Sequence, residues 1–411
     1  MAKNLWSAYE GTRDNHTGKG PQTGQTPKEE YMLGAFLYVD AGKGHYVPAL
    51  ALAEKLEQQG HQAVVEEMFL ACNTPFWSTY CKKEWRFMLR HPRIEGAYHR
   101  LHDTKAIAAI FRFLSVHLPL KRGFHAWYRK TTPDFIVCTN FLGANVITPI
   151  VQKLRLPIPV FGYAADVFNN PTAGFNKRLD LLYIPTFVGR DLLLAKGHPP
   201  ERVKVCPFPL KSSIEDLPKL TRQEARALLE LNDSFTILQN FGGEGIGNTE
   251  FVYEVARRGL RWQVVVVGKL TPFTKRRFAY FLKKYPTFAL FTPGFITNIG
   301  EYIYASDVQV GKAGANALME SMALSRPFMI SDLLYAARDT TTFLNKYQVG
   351  WSENKPKRQI DILQEYYEDK SEQREMERRF ALLPLTFSST SFVLDILEEV
   401  ARWQAKHTTE D

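Results

Sequence analysis

Cysteine is scarce in this chain. Four cysteines stand in 411 residues, Cys72, Cys81, Cys138 and Cys206, and no two share a C-x-x-C spacing. Cys138 lies inside the apolar run Phe135-Ile136-Val137-Cys138 and reads as a small packed hydrophobe, so a reducing, cytoplasmic compartment is expected. Long apolar runs are missing as well. No stretch of about eighteen apolar residues occurs and the N-terminus is polar, so neither a transmembrane helix nor a signal peptide is expected. No cluster of His, Asp and Glu has metal-ligand spacing, so no metal is expected to be obligatory, and no internal repeat or low-complexity core segment interrupts the pattern. Acidic residues are thin between Cys81 and Lys130, where twelve Lys and Arg face only Glu84, Glu95 and Asp103.

What is present alternates short β-branched runs with helical patterns. Phe135–Cys138, Leu181–Ile184, Val203–Val205, Val264–Val267, Val308–Val310 and Phe328–Ile330 read as buried parallel strands, each followed by turn residues. The class is α/β, and the length asks for two domains. Residues 1–30, rich in Gly, Thr, Lys and Gln, are expected to be disordered. A first Rossmann-like domain is placed at 31–212 and a second at 213–385. Asp361–Arg379 reads as one charged helix, and a closing helix in 386–411 is expected to pack back on the first domain. The linker is placed between Lys211 and Leu220, which has charge, Ser and Pro but no apolar periodicity.

Two glycine clusters carry chemistry. In Gly311-Lys312-Ala313-Gly314-Ala315-Asn316-Ala317-Leu318-Met319-Glu320, small residues stand at the mouth of a helix with a carboxylate about two turns in. Open amides there can hold a pyrophosphate, and Glu320 can accept from ribose hydroxyls, which is what a nucleotide sugar requires. Gly242-Gly243-Glu244-Gly245-Ile246-Gly247 lies between an apolar strand and an amphipathic helix. A lone glycine loop is common in α/β folds; two in this order weigh toward a nucleotide over a steric turn. Near the start, strand Met32–Val39 runs into Asp40-Ala41-Gly42-Lys43-Gly44-His45, which lifts His45 to a cleft where it can take a proton near neutral pH. Asp166 ends another strand and is either a turn residue or a catalytic partner.

The net charge of +9 favours anionic partners. In the basic stretch Ile107, Ile110, Phe111, Leu114 and Leu118 recur at helical spacing beside Lys105, Arg112, Lys121 and Arg122, with Trp77, Trp85, Phe124 and Trp127 flanking. That pattern suits either a solvated basic face or an anionic lipid surface, and the lipid surface is the expectation. No nucleic-acid motif accompanies the charge, so no nucleic-acid partner is expected.

The order of these motifs, with Pro293-Gly294-Phe295-Ile296-Thr297-Asn298 between the two glycine clusters, resembles the monogalactosyldiacylglycerol synthase and diacylglycerol glucosyltransferase group over roughly Met32 to Trp351. The resemblance implies the GT-B architecture, two doubly wound Rossmann-like domains facing a cleft, with a lipid acceptor on the first domain and a UDP-sugar donor on the second. It implies that Gly242, Gly243, Glu244 and Gly245 line the diphosphate and that the Phe295 backbone meets uracil. Lys312, Gly314 and Ala315 would lie at the pyrophosphate, Glu320 at the ribose, and His45 near the acceptor hydroxyl. The expected activity is inverting transfer of a hexose from a UDP-sugar to a lipid hydroxyl, diacylglycerol first, by an enzyme peripheral to the membrane.

Two alternatives stand beside this, a polyprenyl-linked or other non-glycerol acceptor and a catalytically inactive sensor. The chain also departs from the group. Ala315-Asn316-Ala317 replaces Pro-Gly-Ser/Thr, and Tyr335-Ala336-Ala337-Arg338 stands where the group carries a hexose-binding Pro-Gly-Gln-Glu, with Asp339 one place later. Arg338 would suit a donor carboxylate, and Asp339 a neutral hexose.

Overall fold

The computed structural model describes residues 31–40, 43–102, 104–117, 119–166, 168, 177–218, 220–243, 245, 247–332 and 338–408. The expectation of disorder over Met1–Glu30, and Ala41, Gly42, Glu244, Ile246, Leu118 and Tyr335–Ala337, lie outside these residues, as do the side chains of Phe111, Arg338 and Asp339.

Among the described residues two six-stranded parallel sheets form. The first holds β1 (Leu33–Tyr38), β2 (Gln62–Glu67), β3 (Phe135–Cys138), β4 (Val160–Tyr163), β5 (Leu181–Ile184) and β6 (Val203–Val205), in the order β2-β1-β3-β4-β5-β6. The second holds β7 (Thr236–Asn240), β8 (Gln263–Val267), β9 (Ala289–Gly294), β10 (Val308–Lys312), β11 (Phe328–Asp332) and β12 (Gly350–Ser352), in the order β12-β11-β10-β7-β8-β9. Helices cover both faces, which is why strands such as Gln263–Val267 are buried at every position. Alternate side chains sort to the two faces. In the first sheet Ala35, Leu37, Ile136 and Cys138 enter one core, and Phe36, Phe135, Val137 and Tyr183 the other.

The strand order reverses between β1 and β3 in the first sheet and between β7 and β10 in the second. In open parallel sheets ligands bind beyond the carboxyl ends of the strands at such points. These two places position the site.

The chain crosses between the sheets twice. Outgoing, Phe208 donates its amide to Thr386 of the returning segment at 2.8 Å. A short helix, Ser212–Glu215, follows within the expected linker and buries Ile214. Glu215 then accepts from Ser388 Oγ at 2.9 Å and from the amides of Ser389 and Thr390 at 2.9 and 3.2 Å, capping the returning helix Ser389–Thr408. That helix lies on the first sheet, where Phe392 meets Tyr183 at 4.8 Å and Tyr163 at 5.6 Å, and Lys204 pairs with Asp395 and Glu399 at 2.5 and 2.8 Å.

Two local expectations are corrected. The charged helix read over Asp361–Arg379 is two helices, Pro356–Glu368 and Lys370–Ala381, because Asp369 accepts from the amides of Ser371 and Glu372 at 2.9 and 3.1 Å and so starts a new helix. Between β2 and β3 a short helix, Met68–Ala71, is followed by the helices that carry the basic stretch: Pro75–Arg90, Pro92–His102, Lys105–His117 and Leu120–Thr131. Phe124 and Trp127 are not on their surface. They fill the first core, and Trp127 Nε1 donates to Glu66. Gly123 lets this last helix close on the chain below, since a Cβ there would stand 1.7 Å from the Cys72 carbonyl oxygen.

Candidate active site

At the first switch point, β1 leads to the helix Lys43–Gln58, and β3 leads through Thr139 to Asn140. Asn140 Oδ1 accepts the Leu142 amide at 2.7 Å and caps the helix Phe141–Leu154. His45, half-buried in the first turn of its helix, has Nδ1 3.1 Å from the Thr139 carbonyl oxygen, and Thr139 Oγ1 donates to the His45 carbonyl at 2.8 Å. A carbonyl only accepts, so Nδ1 carries the proton and the Nε2 lone pair is the ring's basic end. Asp166 is half-buried beyond β4. Two residues on, Phe168 is buried and packs on Phe343 of the helix Arg338–Tyr347, with ring centroids 4.6 Å apart, so the segment bearing Asp166 is pinned to the second half of the molecule.

At the second switch point, β7 runs into Phe241 and Gly242, which has φ of +64°. Lys269 donates its amide to the Gly242 carbonyl at 3.0 Å, and Gly268 donates to the Gly294 carbonyl at 2.8 Å, so the ends of β7, β8 and β9 form one loop cluster. Gly268 has φ of +104°, and a Cβ there would stand 2.7 Å from the Gly242 backbone nitrogen and oxygen. Only glycine fits that approach. Gly268 is not among the expected site residues, and its place directly after Val264–Val267 is the sequence signal that marks it. Phe295, which follows Gly294 at the end of β9, is exposed.

β10 ends at Lys312, and the buried Ala313 leads to Gly314, which caps the helix Ala315–Ala323 without a side-chain hydrogen bond. The first helical bond is Leu318 to the Gly314 carbonyl, so the amides of Ala315, Asn316 and Ala317 precede it and point out of the helix mouth. A Cβ at Gly44, Gly242 or Gly314 would meet nothing within 4 Å. Glu320 is 6% exposed, and its Oε1 lies 3.3 Å from Nζ of Lys211, which comes from the outgoing crossing between the sheets.

The two switch points touch. Asn316 Nδ2 donates to the Gly44 carbonyl at 3.4 Å, joining the mouth of the second-domain helix to the residue before His45. The structure therefore brings His45, Gly314, Ala315 and Glu320 to one region, with Gly242 and Gly245 on the neighbouring strand end. Lys211 and Asn316 belong there too, and no local sequence signal marks their contacts. Among the described residues no group of three His, Cys, Asp or Glu stands where it could hold a metal ion, and no helix is long and apolar enough to cross a membrane.

No family model matches the chain. It is 22% identical over 369 residues to the processive diacylglycerol beta-glucosyltransferase of Bacillus licheniformis, covering 88% of this chain and 94% of that one. It is 21% identical over 394 residues to the probable monogalactosyldiacylglycerol synthase 2, chloroplastic, of Oryza sativa, covering 91% and 81%. Among solved structures it superposes on HepE of Anabaena in complex with UDP and glucose with a TM-score of 0.53 at 12% identity, covering 90% of this chain and all of that one. The chain thus resembles the diacylglycerol glucosyltransferase and monogalactosyldiacylglycerol synthase group, and its fold is the two-domain GT-B arrangement of glycosyltransferases.

Proposed function

We propose that this chain is an inverting, UDP-sugar-dependent hexosyltransferase that glycosylates a lipid hydroxyl, with diacylglycerol as the acceptor, at a membrane surface. One observation carries the reading: the Asn316–Gly44 contact sets the basic nitrogen's turn against the helix mouth that suits a diphosphate. The acceptor hydroxyl gives its proton to His45 Nε2 while its oxygen bonds to the anomeric carbon. The bond from that carbon to the diphosphate oxygen breaks, and UDP departs with the electron pair. Amides at the start of the helix Ala315–Ala323 and in the Gly242–Gly245 turn meet the charge that develops on the leaving phosphate. Glu320 accepts from the ribose, and Asp166 remains the second candidate for the base. A single displacement inverts the configuration.

The lipid side rests on the helices between β2 and β3. Phe76, Phe87, Ile94, Leu101, Ile110 and Phe113 are exposed there among many Lys and Arg side chains, an apolar and cationic mixture suited to an anionic bilayer. Lys82 of the helix Pro75–Arg90 pairs with Asp40, two residues beyond β1, so this surface is tied to the segment that leads to His45. The relatives named for diacylglycerol and monogalactosyldiacylglycerol point to the same acceptor. The test is a panel of UDP-sugars incubated with the protein and mixed lipid vesicles and read by mass spectrometry. A hexosylated diacylglycerol is the expected product. Absence of any glycosylated lipid, with UDP still bound, would replace the enzyme reading with that of a sensor.

A further inference from the structure

The Asn316 amide makes one polar contact and lacks another. Its Nδ2 donates to Gly44, while its Oδ1 is shielded from solvent and has no hydrogen-bond partner among the described residues. The orientation is fixed chemically, because turning the amide over would set its oxygen against the Gly44 carbonyl, and two acceptors repel. Leaving a shielded acceptor unpaired is unfavourable, and in native structures such an atom asks for an explanation.

Its place supplies one. Asn316 is the second residue of the helix whose mouth suits the diphosphate, and it touches the residue before the proposed base. The donor hexose must span that interval, since its anomeric carbon is bonded to the diphosphate and is attacked by the oxygen that His45 deprotonates. The glycines on either side leave room, as a Cβ at Gly44 or Gly314 would meet nothing within 4 Å. An amide oxygen can engage only a donor, and the donors a neutral hexose offers are its hydroxyls.

We infer that Asn316 reads a hydroxyl of the donor hexose through Oδ1, while its Nδ2 holds the two domains in register at Gly44. This inference rests on the donor-site reading above and deepens it. It assigns sugar selection in part to the diphosphate-binding helix itself. A side chain used in this way penalises a donor that lacks the hydroxyl, because Oδ1 is then left unpaired. UDP alone has no hexose and escapes the penalty.

The experiment is calorimetric titration of the full chain, unaltered and as Asn316→Ala, with UDP, UDP-glucose, UDP-galactose and the monodeoxy analogues of the hexose that binds better. Asn316→Ser, whose hydroxyl is too short to span the gap, serves as a second variant, and UDP binding reports that each variant is folded. The expected result is UDP affinity within about twofold in all three proteins and a loss of about tenfold for the preferred UDP-hexose in both variants. One monodeoxy analogue should bind the unaltered chain about tenfold more weakly than the parent and lose nothing further in Asn316→Ala. Equal effects on UDP and UDP-hexose, or no effect on either, would overturn the role of Asn316 and leave the donor site standing. Failure of the unaltered chain to bind UDP would overturn the donor site and this inference together.

Discussion

Replacing His45 by asparagine separates chemistry from architecture. In histidine, Nδ1 is bonded to Cγ and lies 3.1 Å from the Thr139 carbonyl oxygen. In asparagine, Nδ2 is bonded to Cγ as well and can make the same donation, so the tie between β1 and β3 survives while the basic nitrogen on the far side of the ring is gone. Loss of a general base lowers turnover by about 10²–10⁴-fold, which raises the barrier by about 2.7–5.5 kcal/mol. UDP affinity should stay within about twofold, because Glu320 and the Gly314 helix mouth belong to the other sheet. His45→Ala loses the Thr139 bond in addition, worth about 0.5–1.5 kcal/mol of stability. The two variants should therefore share the kinetic loss, while only the alanine melts earlier. Initial rates at saturating acceptor in mixed vesicles, UDP titrations and melting curves supply the comparison. A loss under about tenfold in His45→Asn, with the protein folded, would refute the assignment and pass the role to Asp166.

Three further outcomes are expected. Glu320→Ala should weaken UDP by about 1.5–3 kcal/mol, the scale of hydrogen bonds to a charged group, and unchanged affinity by calorimetry would remove Glu320 from the ribose. Reversing Lys121, Arg122, Arg129 and Lys130 to Glu should release the protein from anionic vesicles, and binding by the unaltered protein should fall as salt rises; equal sedimentation with neutral and anionic vesicles would leave only a solvated basic face. Burial, with the nearby Lys177 and Lys196 charges, lowers the His198 pKa from 6.5 to about 4. The unfolded chain then binds this proton first, so stability falls as pH drops from 6.5 toward 4, by about 1–3 kcal/mol, and His198→Leu should flatten that part of the denaturation profile.

Strands were the most legible part of the fold. Phe135–Cys138 and Leu181–Ile184 have the bounds their apolar runs suggest, because a strand covered on both faces must be apolar throughout. Gly350–Ser352 was not foreseen: three residues at a sheet edge carry too little pattern. The break at Asp369 was missed because charged residues continue on both sides of it, and what ends the first helix is one carboxylate choosing the amides after it. Trp127 and Phe124 looked like interface aromatics beside Lys and Arg, yet the helix turns that face inward.

At the site, the glycine loops could be located from their spacing. The Lys211–Glu320 pair and the Asn316–Gly44 bond could not, since each joins segments far apart in sequence, and only the strand orders of the two sheets bring them together.

The helix Ser389–Thr408 also sets a timetable. The face of the first sheet that carries Tyr163 and Tyr183 is covered by Phe392, which the ribosome adds roughly 190 residues after β6, some 10–40 s later at ordinary elongation rates. Throughout that interval the second sheet can be synthesised and folded, whereas the first waits with two tyrosines and their apolar neighbours facing water. The half of the molecule made first is thus completed last, and its exposure to chaperones and to self-association is governed by translation speed rather than by its own rate of folding.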